Sequence, residues 1–352
     1  MKQPWAWVSW LVAVLVMLSI TRNPIYLIIL LLCTTFVGLS LRLSGVEKRR
    51  LLPVWKFAGW IILFATLFNT LTSHFGETAL FTIPGNLPLI SGKVTLEAMV
   101  YGATNGLILT GMMASFTVLN MALPVSALIS IIPRAFFPVA VVTSIAVTYL
   151  PTTLRQFQQI REAQAVRGHQ MKSLRDWLPL IMPLLVGGLE HAMQLAEAMT
   201  ARGFASSTPT GGKRQFYPRL LMLIGVALLA AGWMVQLASA SYGGLIMVGG
   251  AGLIMVALWI LSNQSKRTKY HRGAWGIKDG LVLLAVVSTL VICLLPIPGI
   301  DHQSFYYEPY PRLSVPTFSP VLGIALIGLF LPGILAIESI PGKRAVAEQE
   351  KA

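Results

Sequence analysis

Two stretches of the chain end in the same phrase. Glu162-Ala163-Gln164-Ala165-Val166-Arg167-Gly168 and, thirty-five positions later, Glu197-Ala198-Met199-Thr200-Ala201-Arg202-Gly203 share the pattern E-A-x-x-x-R-G. An arginine offers a planar, multi-donor head that suits carbonyls and carboxylates lining a partner's groove. A plainer role is a helix stop: glycine takes the left-handed conformation after the last turn, and a basic residue there meets the negative end of the helix dipole. The plain role suffices for one copy. Two copies on consecutive helices, each preceded by Glu-Ala, bring a docking role level with it.

Other chemistry is sparse. No G-x-x-x-x-G-K-[ST] loop occurs, so energy from ATP has to come through a partner. His74, His169, His191, His271 and His302 form no H-E-x-x-H or close pair of the metal-ligand kind. His169, beside the first motif, reads as partner-facing or solvated. Glu190 and His191 are adjacent, but neighbours on a helix point about 100° apart and make no site alone. They mark where the rival reading, a membrane-embedded interfacial enzyme acting on a lipid, would place its polar groups, within 151–216. Cys33 and Cys293 both fall inside apolar runs and read as buried, unpaired thiols. Glu77 and Glu97 border one loop and read as solvated or interfacial.

The elements that must position these residues belong in a bilayer. With 352 residues, 55% hydrophobic and only 11% charged, the chain carries more apolar surface than a soluble domain needs. Eight mostly apolar runs are expected to span: 4–20, 24–41, 54–71, 97–120, 217–237, 242–261, 280–298 and 318–338. The first carries Trp5, Trp7 and Trp10 and runs directly into Thr21-Arg22-Asn23-Pro24, with no small-residue cleavage site. The fold class is therefore an all-α polytopic membrane protein of about eight transmembrane helices. A cytosolic-side domain of amphipathic helices is expected between the fourth and fifth spans. The expected divisions are 1–120, 121–216, 217–338 and a tail, 339–352.

Charge sets the expected orientation. The net charge of +14 fits a basic membrane protein without invoking nucleic acid, because Lys and Arg collect on the cytoplasmic side. With both termini cytosolic, in a prokaryotic inner membrane, only Arg22, Lys93 and Arg312 of the 27 Lys and Arg fall outside. Lys48-Arg49-Arg50 and the group Lys266, Arg267, Lys269 and Arg272 carry the bias. The loop from Gly299 to Ser319 reads as external and aromatic-rich. Ionisable residues are nearly missing from the eight spans, which argues against a proton or ion pathway of the chain's own.

Within 121–216, the apolar stretches Phe136 to Leu150 and Trp177 to Gly188 are short for crossing, and Arg155, Arg161, Arg167, Lys172 and Arg175 lie between them. They are therefore expected to be interfacial or buried. Ahead of the second phrase, Leu185, Leu189, Ala192, Ala196 and Met199 fall on one helical face; Leu150, Leu154, Phe157 and Ile160 make a looser stripe before the first. An amphipathic helix at the cytosolic surface can bury its apolar face and offer its tip to a soluble partner.

At this point the sequence resembles the T components of energy-coupling factor (ECF) transporters, the EcfT/CbiQ family, whose coupling helices end in Ala-Arg-Gly. Ala201-Arg202-Gly203 fits fully, and Val166-Arg167-Gly168 departs by one valine. Asn23-Pro24, Gly92-Lys93-Val94-Thr95-Leu96-Glu97, Ile132-Pro133 and Tyr149-Leu150-Pro151 extend the likeness over roughly residues 20–235. The resemblance implies that Arg167 and Arg202, with Gly168, Ala201 and Gly203, meet two ATP-binding-cassette ATPases. Glu162, Ala163, Glu197 and Ala198 would support them. It further implies a membrane S component that captures a vitamin or transition-metal ion, and a chain with no catalysis or cofactor of its own, ATP and Mg being held by the ATPases. The spans after about residue 240 depart from the family pattern. Their glycines, Gly243, Gly244, Gly249, Gly250 and Gly252, would allow close helix approach.

Overall fold

The structure, a computed structural model, describes residues 3–44, 54–73, 75–83, 92–133, 136–168, 174–204, 213–238, 242–264, 275–295 and 297–338. The basic clusters at 48–50 and 266–272, together with His74, His169, Lys172, His271 and the tail from 339, lie outside the described residues. The helices are α1 (Pro4–Ile20), α2 (Pro24–Leu43), α3 (Val54–Thr72), α4 (Leu96–Ala122), α5 (Val125–Ile129), α6 (Phe137–Val166), α7 (Leu178–Ala201), α8 (Lys213–Leu237), α9 (Gly243–Gln264), α10 (Ile277–Leu294), α11 (Pro320–Ile327) and α12 (Leu331–Ile337). The protein is an all-α polytopic membrane protein.

Each of the eight expected spans is helical, the last divided by a short tight turn at Gly328–Phe330. Among the described residues, seven helices are long and apolar enough to cross a bilayer, counting α11 and α12 together; α1 and α3 are shorter. The seven include α7, whose apolar half was expected to be interfacial or buried rather than to cross. The apolar stretches 136–150 and 177–188 look short only because each continues without interruption into a polar half, giving helices of 30 and 24 residues. Pro151 and Pro183 sit inside these helices, each removing one ladder donor without ending the helix.

Contacts divide the chain into two compact units, residues 1–127 with 271–352, and residues 128–270. In the first, α4 is approached on several sides through small residues. A Cβ on Gly102 or Gly106 would press within 2.8 Å of the α3 backbone, and one on Gly111 would reach Leu18 at 2.9 Å. Small residues let helices close where lipid offers no hydrophobic drive to associate.

The C-terminal spans are bolted to the N-terminal ones and to each other. Trp10 Nε1 donates to Leu329 O at 2.9 Å, Thr289 Oγ1 to Ala325 O at 2.9 Å, and Ser44 Oγ to Ala336 O at 2.8 Å. Asn23 caps α2 by accepting from Ile25 N–H, while its Nδ2 donates to Ser304 O and Thr317 O, both at 2.8 Å. Thus the expected external loop, 299–319, folds onto the Asn23-Pro24 corner. Tyr26 stacks edge-on against Phe305 there, and Tyr310 meets Ser73 and Tyr101.

A two-stranded hairpin that the sequence reading missed, β1 (Ala79–Ile83) with β2 (Gly92–Thr95), leads into α4. Its presence corrects the reading of Glu97. Glu97 is completely buried, with Oε1 accepting the Thr78 N–H at 3.1 Å and also the Thr78 hydroxyl. It sits in the first turn of α4, where exposed N–H groups favour a carboxylate, and the chain at 75–78 folds over it. Gly76 has φ +131°, and a Cβ there would strike the Glu97 carboxylate at 2.5 Å. Glu77 is exposed as expected and pairs with Arg312.

In the second unit, α8 and α9 form a hairpin packed through Gly225, Gly232, Gly243 and Gly250. A Cβ on Gly250 would lie 2.9 Å from both Gly225 O and Leu229 N. Gly244, Gly249 and Gly252 face open space, so only part of the expected glycine set makes the close approach.

Candidate functional site

The two E-A-x-x-x-R-G phrases occupy the last turns of α6 and α7, and both helices close with the same device. Arg167 is the C-cap of α6; its N–H reaches Ala163 O at 3.4 Å, and Gly168, at φ +79°, donates to Ala165 O at 3.0 Å. Arg202 caps α7; its N–H reaches Ala198 O at 3.2 Å, and Gly203, at φ +75°, donates to Thr200 O at 2.9 Å. Phe204 N–H then reaches back to Met199 O at 3.0 Å, completing a Schellman closure. Nothing lies within 4 Å of a Cβ built on Gly168, so backbone conformation rather than crowding selects glycine there.

The repeated phrase thus has a structural meaning at its alanine, arginine and glycine positions. Ala163 and Ala198 provide the carbonyls that receive the two arginine N–H groups. Glu162 and Glu197 stand five positions ahead of Arg167 and Arg202, about 140° around the helix, so neither carboxylate neutralises its arginine. All four charged groups and Ala201 are exposed. Among the described residues no side-chain hydrogen bond or ion pair holds either guanidinium.

What holds α6 and α7 together is a contact the sequence reading did not find. Phe157 stacks on Trp177 with ring centres 6.4 Å apart, and Tyr149 stacks on His191 at 4.8 Å with the planes 7° apart. A Cβ on Gly187 would meet Gln156 Nε2 at 2.5 Å. Rising numbers on α6 meet falling numbers on α7, so the helices are antiparallel. The arginine tips therefore lie at opposite ends of the pair, roughly 40 Å apart at 1.5 Å per residue. The Gly187-Gly188 doublet in mid-helix was the available signal for this close approach.

Apart from Phe157, which takes part in this contact, the apolar stripes are largely open. Leu185 and Leu189 on α7 are 61% and 64% exposed, and Leu150 and Leu154 on α6 are 60% and 55% exposed. Glu190 and His191 do share a hollow of about 230 Å³ between the helices, with Tyr149, Thr152, Gln156, Gly187 and Gln194. Both are exposed, and no hydrogen bond joins them among the described residues. His191 is engaged in stacking on Tyr149.

The sequence profile of the CbiQ family, described as cobalt transport protein, matches residues 2–211. The chain belongs to the CbiQ family. The match takes in α1 through α7 and ends just before α8, so the paired arginine tips lie within the family region and α8 to α12 lie beyond it. Among similar proteins is the energy-coupling factor transporter transmembrane protein EcfT of Leuconostoc gelidum, 30% identical over 41% of this chain and 58% of the relative. EcfT of Heliobacterium modesticaldum is 29% identical over 57% of this chain and 78% of its own length. EcfT of Bacillus subtilis is 28% identical over 41% and 58%. This CbiQ-family chain thus spans little more than half the length of two of these relatives and over three quarters of the third.

Proposed function

We propose that the chain is the non-catalytic transmembrane coupling subunit of an ECF-type importer. Two cytosolic ATP-binding-cassette ATPases dock at Arg167 and Arg202, and a membrane S component supplies the vitamin or transition-metal ion. The observation that carries this reading is the duplicated tip: one antiparallel helix pair presents the same exposed arginine, on the same glycine-closed cap, at each end. Two equivalent ends suit two equivalent ATPases. Movement of the ATPases on binding ATP shifts the tips, and the ring-stacked helices pass that shift to whatever lies against their apolar stripes, which we assign to the S component and bilayer. In this reading residues 121–216 form the coupling domain, both termini are cytosolic, and ATP and Mg stay with the ATPases.

The test is capture of the ATPase pair by the tagged chain in detergent, comparing wild type with Arg167→Ala, Arg202→Ala and the double substitution. Each single change should leave one ATPase attached, and the double change should leave none. Wild type that captures no ATPase overturns the proposal.

A further inference from the structure

The first unit contains an apolar cavity of about 490 Å³ that takes no part in the coupling site. It runs between α2, from Leu31 to Arg42, and α4, from Thr110 to Met121, with Ala58 and Phe330 completing its sides. From Leu31 to Arg42 the helix rises about 16 Å, the thickness of one bilayer leaflet. Three of the four threonines of its wall are turned away from it in hydrogen-bonding terms; the fourth, Thr110 on α4, keeps a buried hydroxyl with no partner among the described residues. Thr34 and Thr35 on α2 donate to Leu31 O and Leu32 O at 2.9 and 3.0 Å, and Thr117 on α4 donates to Met113 O at 2.8 Å. With their hydroxyls satisfied on their own helices, they offer the cavity mainly methyl groups.

One charge stands at the end of this apolar trough. Arg42, in the last turn of α2, is exposed, lines the cavity, and has no ion pair or side-chain hydrogen bond among the described residues. The arrangement is apolar for one leaflet's depth and then cationic at the membrane border, which complements a single-leaflet amphiphile with an anionic head. We propose that the groove binds one anionic phospholipid, its acyl chain lying between α2 and α4 and its phosphate paired with Arg42. The leaflet is the cytosolic one if both termini are cytosolic, so that detail rests on the orientation given under Proposed function; the binding itself does not depend on ATPase docking.

The groove has a physical consequence for the fold. Val118 lies 3.3 Å from a Cβ built on Gly38, so α2 and α4 pack closely beside the trough that they line. An acyl chain fills the space that side chains leave between two helices of the same unit, and apolar burial favours it in proportion to the methylene groups enclosed.

The test is native mass spectrometry of the purified full chain after equilibration in mixed micelles of phosphatidylglycerol and phosphatidylcholine. Wild type should retain one phosphatidylglycerol in preference to phosphatidylcholine. Arg42→Gln should cut that preference about fivefold, the effect of one basic residue near an anionic surface, and Leu39→Trp, which fills the trough, should remove the lipid altogether. Arg312→Gln, in the external loop, should change nothing. Equal retention of the two lipids by wild type, or unchanged preference in Arg42→Gln, overturns the proposal. So does a chain that holds no lipid but cross-links through a photoreactive group at position 35 to a membrane protein partner. ATPase capture measured on the same preparations separates this outcome from failure of the coupling reading: loss of lipid with capture intact concerns the groove alone.

Discussion

The two compact units of this chain bury their apolar residues to different degrees. In residues 1–127 with 271–352, large side chains such as Trp10, Met17, Tyr26, Phe305 and Leu322 are almost fully enclosed. In residues 128–270, Leu180 and Ala257 are the buried hydrophobic side chains among the described residues, while Leu185, Leu189, Met193, Leu223 and Trp233 stand more than half exposed. The first unit is cross-braced by hydrogen bonds between segments 294 and 319 positions apart, Asn23 to Thr317 and Trp10 to Leu329. The second is held by helix hairpins and two ring stacks. A unit that keeps its apolar faces open and presents Arg167 and Arg202 without a side-chain partner among the described residues is built to be completed by lipid or by partners; a unit with an enclosed, cross-braced core is built as a frame.

Substitutions can break that comparison, beginning with the largest expected effect. Arg167→Ala with Arg202→Ala should weaken ATPase capture by at least about 30-fold, the scale of losing a desolvated charged contact, while leaving the thermal transition of the purified chain in place. Asn23→Ala should act in reverse. It removes the α2 cap and two bonds to the 299–319 loop, which costs about 2–4 kcal/mol, read as a lowered melting temperature with ATPase affinity per folded molecule unchanged.

The smaller effects sharpen the contrast, beginning within the second unit. Gly250→Val should destabilise by about 1–3 kcal/mol through overpacking, measured by unfolding in detergent, because its Cβ meets the α8 backbone; Gly244→Val, facing open space, should be near neutral. Gly203→Ala should cost about 1 kcal/mol, the penalty of a left-handed residue carrying a Cβ, and should weaken ATPase capture because the cap aims Arg202. Last, Arg312→Gln breaks an exposed pair with Glu77 and should shift stability by less than about 1 kcal/mol. An equal loss of stability for Asn23→Ala and for the double arginine change would erase the division between frame and coupling surface.

Much of this was legible in the residues. Runs of apolar residues long enough for a bilayer placed all eight expected helices, because burying a hydrogen-bonded backbone in hydrocarbon leaves the helix as the available form. The repeated Glu-Ala and Arg-Gly placed both caps, because the left-handed closure is a local property of a few consecutive residues. Other features were hidden because they depend on contacts distant in sequence. Glu97 looked solvated until 75–78 folded over it. The apolar halves of α6 and α7 looked too short until each proved continuous with its polar half. The stacking of Tyr149 on His191 joins residues 42 positions apart, and no local pattern announces it.

The sequence by itself determined which segments are helices, where α6 and α7 stop, and that an arginine stands at each stop, since these follow from composition, periodicity and nearest-neighbour backbone preferences. Tertiary structure alone decided that the two tips point to opposite ends of one antiparallel pair, that the spans after residue 240 include a bundle closing on α1 and α2, and that α2 and α4 leave an apolar trough ending at Arg42. Those outcomes depend on which surfaces meet, and packing between residues hundreds of positions apart is fixed by shape and satisfied polar groups across the whole chain, not by any short stretch of it.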